Sequence, residues 1–326
     1  MRACLSMGFV LGLGMPSIVF AGDLPCALDP VLTEVAATVA LEGGVPTPEA
    51  LRQLLQSTGS DLPNAFLRRF PPNDDAAVLA WLGDLARRSD APLVCGEAVT
   101  AQRRIVVATA RAGSLEVVGE AVRGRIEAGY RDPRLVVQAA DGELVNLSAE
   151  GLERAVPIPE DLDRPVRVQL VASGPSGPRP VAQCVLGQPG GLPPVVHVDT
   201  DGWDQIQALR RAHGGLRLRW NRLMGEQAQE HAATVCRTRR VGHVDAGQDP
   251  EERLRQAGIE ARVVGEAVAR GHSLQAAFDA FADSPSHLAA ITDRRFTDGG
   301  VAAATDSEQN ICVVVLLAAW PRFVGR

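Results

Sequence analysis

The sequence is poor in aromatic residues and lacks the common catalytic signatures. Phe, Trp and Tyr together make up 4% of the 326 residues, which disfavours a stacking surface for sugars or nucleic-acid bases. There is no Gly-x-Ser-x-Gly, phosphate-binding loop, His-Glu-x-x-His or Cys-x-x-Cys pattern. Any catalytic site would therefore have to use residues that do not form these motifs.

The sequence also has no excess of positive charge. Lys and Arg total 33 against 39 Asp and Glu, which gives a formal net charge of -6. Nucleic acids and anionic membrane surfaces require basic patches, so the sequence predicts neither as a partner. Hydrophobic residues make up 46% of the chain, enough for packed cores. Since domains usually span about 100–200 residues, we expect two or three of them.

The only long apolar run lies at the start of the chain. Ala3 to Phe20 follows the basic Met1-Arg2, and Val19-Phe20-Ala21 has the small-x-small pattern of a cleavage site. Residues 1–21 are therefore predicted to be a signal peptide, with an uncleaved N-terminal anchor as the alternative. No later run approaches the ~20 apolar residues of a spanning helix, so no membrane span is expected after cleavage. The mature protein would be periplasmic or extracellular.

Export changes what the cysteines are expected to do. Cys4 leaves with the signal peptide, and the cysteines that remain would tend to pair in an oxidising compartment. The pairings Cys26–Cys95 and Cys236–Cys312 keep each bridge within one predicted domain and leave Cys184 unpaired. The sequence alone does not exclude other pairings.

Patterning divides the rest of the chain into three regions and a linker. Residues 22–98 carry Pro-containing helix starts and helical spacing of Leu, which predict a helical unit. Residues 99–187 alternate with period two and contain the hairpin signal Asp141-Gly142, which predicts an immunoglobulin-like β-sandwich. Residues 188–200 include a Pro- and Gly-rich linker. Residues 201–326 return to a helical pattern and end in Cys312 to Trp320, an apolar stretch that predicts a buried strand.

Several motifs in residues 201–326 occur in a fixed order. They are Leu218 to Ala232 (LRWNRLMGEQAQEHA), Gly242-His243, Gly265-Glu266-Ala267-Val268 and Ser284-Pro285-Ser286-His287. In this order and spacing they resemble the CAP (SCP-like) domain family, bacterial type. The resemblance implies an α-β-α sandwich for the C-terminal third. The expected fold class of the whole chain is therefore multidomain α+β.

The same resemblance implies a cavity lined by two His and, in many members, two acidic residues. The matching positions are His243, Glu266 and His287, with Ser284 at the second acidic position and Asp283 beside it. Imidazole and carboxylate groups are good zinc ligands, so His243 and His287 are candidate metal ligands and Glu266 a candidate catalytic base. The missing second carboxylate weakens both expectations.

Two further residues differ from the family pattern. Ala267 replaces the Asn that follows the family Glu, and Ser286 replaces the Gly before the second His. His231 lies on the apolar face of its predicted helix and is expected to be a hydrogen-bonded core residue.

Three functions remain as hypotheses. The first is a non-enzymatic binding or interaction protein of the cell envelope or medium, whose partner is a small apolar ligand, a lipid, an envelope component or another protein. The second is a metal-dependent hydrolase or peptidase that uses the His-Glu-His cavity. The third is a structural envelope protein with a vestigial cavity. Whether the chain is an enzyme stays open, with binding favoured and no cofactor required.

Overall fold

The computed structural model describes residues 25–187 and 202–320, which form three successive units. The predicted signal peptide (residues 1–21) and all of the predicted linker (residues 188–200) lie outside the described residues. None of the described helices has the length and apolar character needed to cross a membrane.

The N-terminal unit contains three helices and a four-stranded sheet. The helices are α1 (Pro30–Glu42), α2 (Pro48–Ser57) and α3 (Asp75–Arg88), and the strands are β1 (Ala27–Leu28), β2 (Phe66–Phe70), β3 (Leu93–Val99) and β4 (Arg104–Ala110). The sheet order is β1-β3-β4-β2. Helices α1 and α2 pack on one face of the sheet and α3 packs on the other.

The expectation of an all-helical N-terminal unit is therefore wrong. The helices lie where their caps predict, and the side chains of Asp29, Thr47 and Asp74 accept backbone hydrogen bonds at their starts. The strands were missed because Leu93–Val99 is buried on both faces and has no alternating pattern. Strand β4 pairs with β2 and β3, so the boundary expected at residue 98 falls inside this sheet.

The middle unit consists of two β-sheets around one core. Its strands are β5 (Gly113–Val118), β6 (Ala121–Ile126), β7 (Arg131–Gln138), β8 (Leu144–Ser148), β9 (Val156–Pro157), β10 (Val166–Gly174) and β11 (Gly177–Leu186). The sheet orders are β5-β6-β9 and β11-β10-β7-β8. The hairpin predicted at Asp141-Gly142 is present between β7 and β8, and Gly142 has a φ of 91°, which favours glycine.

The C-terminal unit has helices on both faces of a four-stranded sheet. Its elements are α4 (Gly202–Ala212), β12 (Arg219–Trp220), α5 (Arg222–Thr238), α6 (Pro250–Gln256), β13 (Val263–Gly271), α7 (Leu274–Ala282), α8 (Pro285–Thr292), β14 (Asp298–Thr305) and β15 (Ile311–Ala319). The sheet order is β12-β14-β15-β13. Helices α5 and α6 cover one face, and α4, α7 and α8 cover the other.

Strand β15 explains why this sheet needs both helical layers. Val313, Val315 and Leu317 face the layer of α4, α7 and α8, whereas Val314 and Leu316 face the layer of α5 and α6. Successive side chains of a strand point to opposite faces, so a continuous apolar run requires cover on both sides. The buried strand predicted at Cys312 to Trp320 is confirmed.

Both predicted disulfides are present among the described residues. Cys26 is bonded to Cys95 on β3, and Cys236 on α5 is bonded to Cys312 on β15. Each bond joins elements of one unit, as expected. Cys184 on β11 is a free thiol, and burial raises its pKa to about 12.

Cys184 should therefore be unreactive in the folded protein. The thiolate is the reactive form, and at neutral pH burial keeps this thiol protonated. A thiol-specific disulfide reagent should label no cysteine in native protein and one cysteine after unfolding without reductant. The Cys184→Ser variant, as control, should show no labelled cysteine in either state. Rapid labelling of native wild-type protein would contradict this burial.

Candidate functional site

A cleft of about 1640 Å³ lies where the three units meet. All five residues predicted to form the cavity line it, namely His243, Glu266, His287, Asp283 and Ser284. The middle unit contributes residues of strands β7, β10 and β11 to the lining, and the N-terminal unit contributes residues of α2. The resemblance gave no sign that two other units would line the same cleft.

Glu266 is the central charged group of the C-terminal part of the site. Its side chain is 1% exposed on β13. His243 lies with Nδ1 2.9 Å from Glu266 Oε1, and Arg253 on α6 donates from Nη2 to Oε2. Because a carboxylate only accepts, Nδ1 of His243 carries the hydrogen of this bond. Each oxygen of Glu266 thus accepts a hydrogen bond from a neighbouring side chain.

Arg253 was missed by sequence reasoning, although it holds the site together. Its Nη1 donates to the carbonyl oxygens of His243 (2.7 Å) and Gln248 (3.1 Å), in addition to the ion pair with Glu266. A single guanidinium thus neutralises the buried carboxylate and fixes the loop that carries His243. In the sequence, Arg253 looks like one more charge of a short helix, and nothing distinguishes it from Arg255.

His243 and His287 approach one another around the edge of the sheet. Glu266 lies on the face covered by α5 and α6, whereas His287 on α8 packs against Phe281 in the other helical layer, with ring centroids 5.3 Å apart. The edge strand β13 lies between these layers. His243 is close enough for its charge to disfavour the charged form of His287. The glycine before Glu266 is required here, because a Cβ on Gly265 would lie 2.6 Å from the ring of Phe296.

His287 is held in the neutral form. Burial, reinforced by the charge of His243, lowers its pKa to about 4, against a smaller opposing effect of a hydrogen bond with the backbone of Ala280. Its Nδ1 is buried and has no hydrogen-bond partner among the described residues. At neutral pH His287 therefore presents an uncharged ring.

Asp283 and Ser284 face the other units instead of the histidines. The carboxylate of Asp283 pairs with Arg52 on α2, and its carbonyl oxygen accepts from Arg167 on β10. Burial raises the pKa of Asp283, and Arg52 and Arg167 oppose that rise. The Ser284 hydroxyl donates to Gln169 Oε1 at 3.1 Å. The position of the family's second carboxylate thus serves a contact between units.

A second contact between units lies beside His243. The backbone N–H of His243 donates to the carbonyl oxygen of Ser176 at 2.7 Å, and the N–H of Ser176 donates to Asp90 Oδ2 at 3.0 Å. Ser176 lies in the turn between β10 and β11, Asp90 follows α3, and His243 belongs to the C-terminal unit. One peptide segment therefore connects all three units. A Cβ on Gly177, which has a φ of 95°, would lie 2.9 Å from Cβ of His243.

His231 is buried as predicted, but only one of its two ring nitrogens has a hydrogen-bond partner among the described residues. Its Nε2 lies 2.9 Å from the carbonyl oxygen of Gly242, and its Nδ1 has no hydrogen-bond partner within the described parts of the chain. It also lies 3.7 Å from Glu266 Oε1, so it adds to the polar cluster around that carboxylate.

The predicted metal ligands do not form a metal site of the usual kind. Within residues 25–187 and 202–320, no three His, Cys, Asp or Glu side chains are arranged to hold a metal ion. A protein zinc site takes at least three such ligands. Glu266 is engaged by Arg253, a cation that competes with any metal for the carboxylate. The described residues therefore do not fit zinc.

Comparison with known proteins agrees with this geometry. The model of the cysteine-rich secretory protein family (CAP) matches residues 203–317. The C-terminal unit is therefore a CAP domain. No curated protein matches the chain.

Three solved structures are similar at low identity. An outer surface protein of Borrelia burgdorferi has a TM-score of 0.35 and 22% identity, covering 38% of this chain and 97% of that one. An extracellular SCP-domain protein of Bacillus anthracis has a TM-score of 0.32 and 19% identity, covering 63% and 59%. A cysteine-rich secretory protein of Staphylococcus aureus has a TM-score of 0.26 and 11% identity, covering 65% and 78%. The match to the Bacillus anthracis protein thus extends over less than two thirds of that protein.

Replacing Arg253 by Ala should destabilise the protein strongly. The change leaves the carboxylate of Glu266 buried without its cation, which costs about 3–5 kcal/mol. Arg255 lies on the same helix and pairs with Glu252 at the exposed surface, so Arg255→Ala should change the free energy of unfolding by less than about 0.5 kcal/mol. Urea denaturation of both variants measures the contrast. Equal effects would show that the Arg253–Glu266 pair has no special role.

His287 should make the protein less stable in acid. Its pKa is about 4 in the folded chain and about 6.5 in an unfolded chain. Between these values the unfolded state binds the extra proton, so the free energy of unfolding falls as the pH falls. The contribution is about 2 kcal/mol between pH 7 and pH 5. His287→Gln should lose that part of the pH dependence in urea denaturation. Identical pH dependence in the two proteins would refute it.

Proposed function

We propose that this chain is an exported, non-enzymatic binding protein that holds its ligand in the cleft between the three units. The observation that carries the proposal is the state of the predicted catalytic groups. Both oxygens of Glu266 are occupied by His243 and Arg253, and Ser284 replaces the second carboxylate and contacts Gln169. Protonation of Glu266 would disrupt its ion pair with Arg253, and the second carboxylate of an acid–base pair is missing, so the arrangement favours binding over hydrolysis.

The shape of the site supports the same conclusion. A cleft of about 1640 Å³ is large enough for a ligand, which argues against a vestigial cavity that has collapsed. The middle unit lines the cleft with Arg134, Asn146 and Arg167 among its residues. A polar wall without a hydrogen-bonding ligand favours water over a lipid chain. We therefore favour a polar ligand.

Export is part of this proposal. The N-terminal apolar run resembles a signal peptide, and two disulfides are typical of proteins that fold in oxidising compartments. CAP relatives include proteins described as extracellular. The compartment, periplasm or medium, depends on the cell that makes the protein.

We also propose that the middle unit is an immunoglobulin-like spacer. In its order of strands, the first, second and fifth form one sheet, and the seventh, sixth, third and fourth form the other. Two antiparallel sheets that share one apolar core are the architecture of such sandwiches. In this role the unit supplies one wall of the cleft.

Filling the cleft should abolish ligand retention. Ala290 on α8 lines the cleft, so Ala290→Trp should occupy ligand space. Ala233→Trp on the exposed side of α5 is the matched control. Native mass spectrometry after incubation with a soluble envelope extract should show the same bound mass on wild type and Ala233→Trp, and none on Ala290→Trp. A ligand at a hundred times its Kd should also stabilise wild type by about 2.7 kcal/mol.

Two results would count against the proposal. One is a bound mass that Ala290→Trp retains as well as wild type does, because the ligand would then lie elsewhere. The other is turnover of peptide or ester substrates by purified protein that Glu266→Gln removes, because Glu266 would then act as a catalytic residue despite its hydrogen bonds.

A further inference from the structure

The cleft runs along an unpaired sheet edge. Strand β13 is the outer strand of the CAP sheet and pairs with β15 on one side, and no described strand pairs with its other side. The cleft is lined by β13 from Val263 to Gly271 along nearly the whole strand. The backbone N–H and C=O groups of a free edge can pair with an extended chain. Such a chain would lie between His243 and His287, which flank this edge.

Another part of the lining is a face of the middle unit's four-stranded sheet. Residue pairing places Arg134 opposite Val171 and Val136 opposite Gln169, so these side chains share one face with Arg167. All of them line the cleft. The wall thus offers guanidinium groups, which bind carboxylates.

The positive charges of this wall are not all paired with carboxylates. Two carboxylates of the cleft, Asp283 and Asp293, already pair with Arg52 and Arg295. The Arg134 side chain is exposed and forms no ion pair or hydrogen bond within the described chain; partial desolvation lowers its pKa, and no carboxylate opposes that effect. Arg167 donates to the carbonyl oxygen of Asp283, but its buried Nε has no partner there. An unpaired guanidinium in a cleft attracts an anionic group.

We propose that the cleft binds an extended acidic peptide segment, whose main chain pairs with β13 and whose carboxylate is bound by Arg134. This inference rests on the proposed binding function and names the class of ligand. A free strand edge selects an extended main chain, and the arginine selects an acidic side chain. Both features line the same cleft, so a single peptide in the cleft meets both.

Selection from a random library tests the choice of ligand. Phage that display randomised short peptides are selected on the mature protein, on Arg134→Gln and on Arg131→Gln. Arg131 lies on the same strand and is also exposed but does not line the cleft, so it is the matched control. Peptides selected on wild type and Arg131→Gln should be enriched in Asp and Glu, and those selected on Arg134→Gln should not. Selection of neutral or basic peptides by wild type would overturn the proposal.

The affinity of a selected peptide tests the arginine directly. In fluorescence anisotropy, replacing its enriched Asp by Asn should weaken binding to wild type about tenfold. The Arg134→Gln variant should bind the Asp peptide as weakly as wild type binds the Asn peptide. The peptide substitution needs no change in the protein, so loss of folding in the variant cannot mimic the result. Equal affinity of both peptides for wild type would refute the role of Arg134.

The backbone contact has its own test. An added strand forms hydrogen bonds to the edge through every second residue. N-methylation of successive peptide bonds in the selected peptide should therefore weaken binding at alternate positions, by at least tenfold, and leave the positions between them nearly unchanged. A uniform effect, or none, would exclude pairing with β13.

The outcomes separate this inference from the binding function itself. If no peptide is selected while Ala290→Trp still loses the mass retained by wild type, the cleft binds a ligand of another class and only the inference fails. If neither a peptide nor a retained mass depends on the cleft, both fail.

Discussion

The burial of one carboxylate imposes most of the local structure of the CAP domain. Glu266 is buried in a sheet whose core is apolar, and an unpaired charge there would cost several kcal/mol. Arg253 supplies the opposite charge, and it reaches Glu266 only if α6 begins where Asp249 caps it. The spare guanidinium donors of Arg253 then hold the carbonyl oxygens of the preceding loop. The position of His243 is therefore a consequence of neutralising Glu266.

The loop fixed in this way also contacts the other units. His243 donates its backbone N–H to Ser176, and Ser176 contacts Asp90 of the N-terminal unit. Asp283 contacts Arg52 and Arg167, so it too connects three units. The cleft lies between two places where all three units touch. Its walls belong to different units, yet their separation is set at both places, which favours a site formed before the ligand arrives.

Sequence reasoning recovered those parts of the structure that depend on local pattern. The apolar run of β15, the hairpin at Asp141-Gly142 and the caps of α1 and α2 each follow from residue types a few positions apart. The resemblance supplied His243, Glu266 and His287 by position. The pairing of Cys26 with Cys95 and of Cys236 with Cys312 followed from keeping each bond within one domain.

Contacts between distant segments could not be predicted in this way. The alternation of Arg167, Gln169 and Val171 gave the correct polar face of β10, but a polar face normally meets water, and here it meets α8. Arg253 looks like a solvent-exposed helix residue until the fold brings Glu266 beside it. Strand β3 has no alternation because helices cover both its faces, so it could not be told from the helices around it.

The two places where the units meet differ in their tolerance of mutation. At Ser176 the contact with the CAP domain is made by main-chain atoms on both sides, so most side-chain changes at Ser176 or His243 leave it intact. It depends instead on the small size of Gly177 and Gly242, which lie against it. The contact at Asp283 is made largely by charged side chains, and a single substitution can remove it. During divergence of such proteins the first contact would preserve the arrangement of the units, while the second would be free to vary and to adjust the width of the cleft.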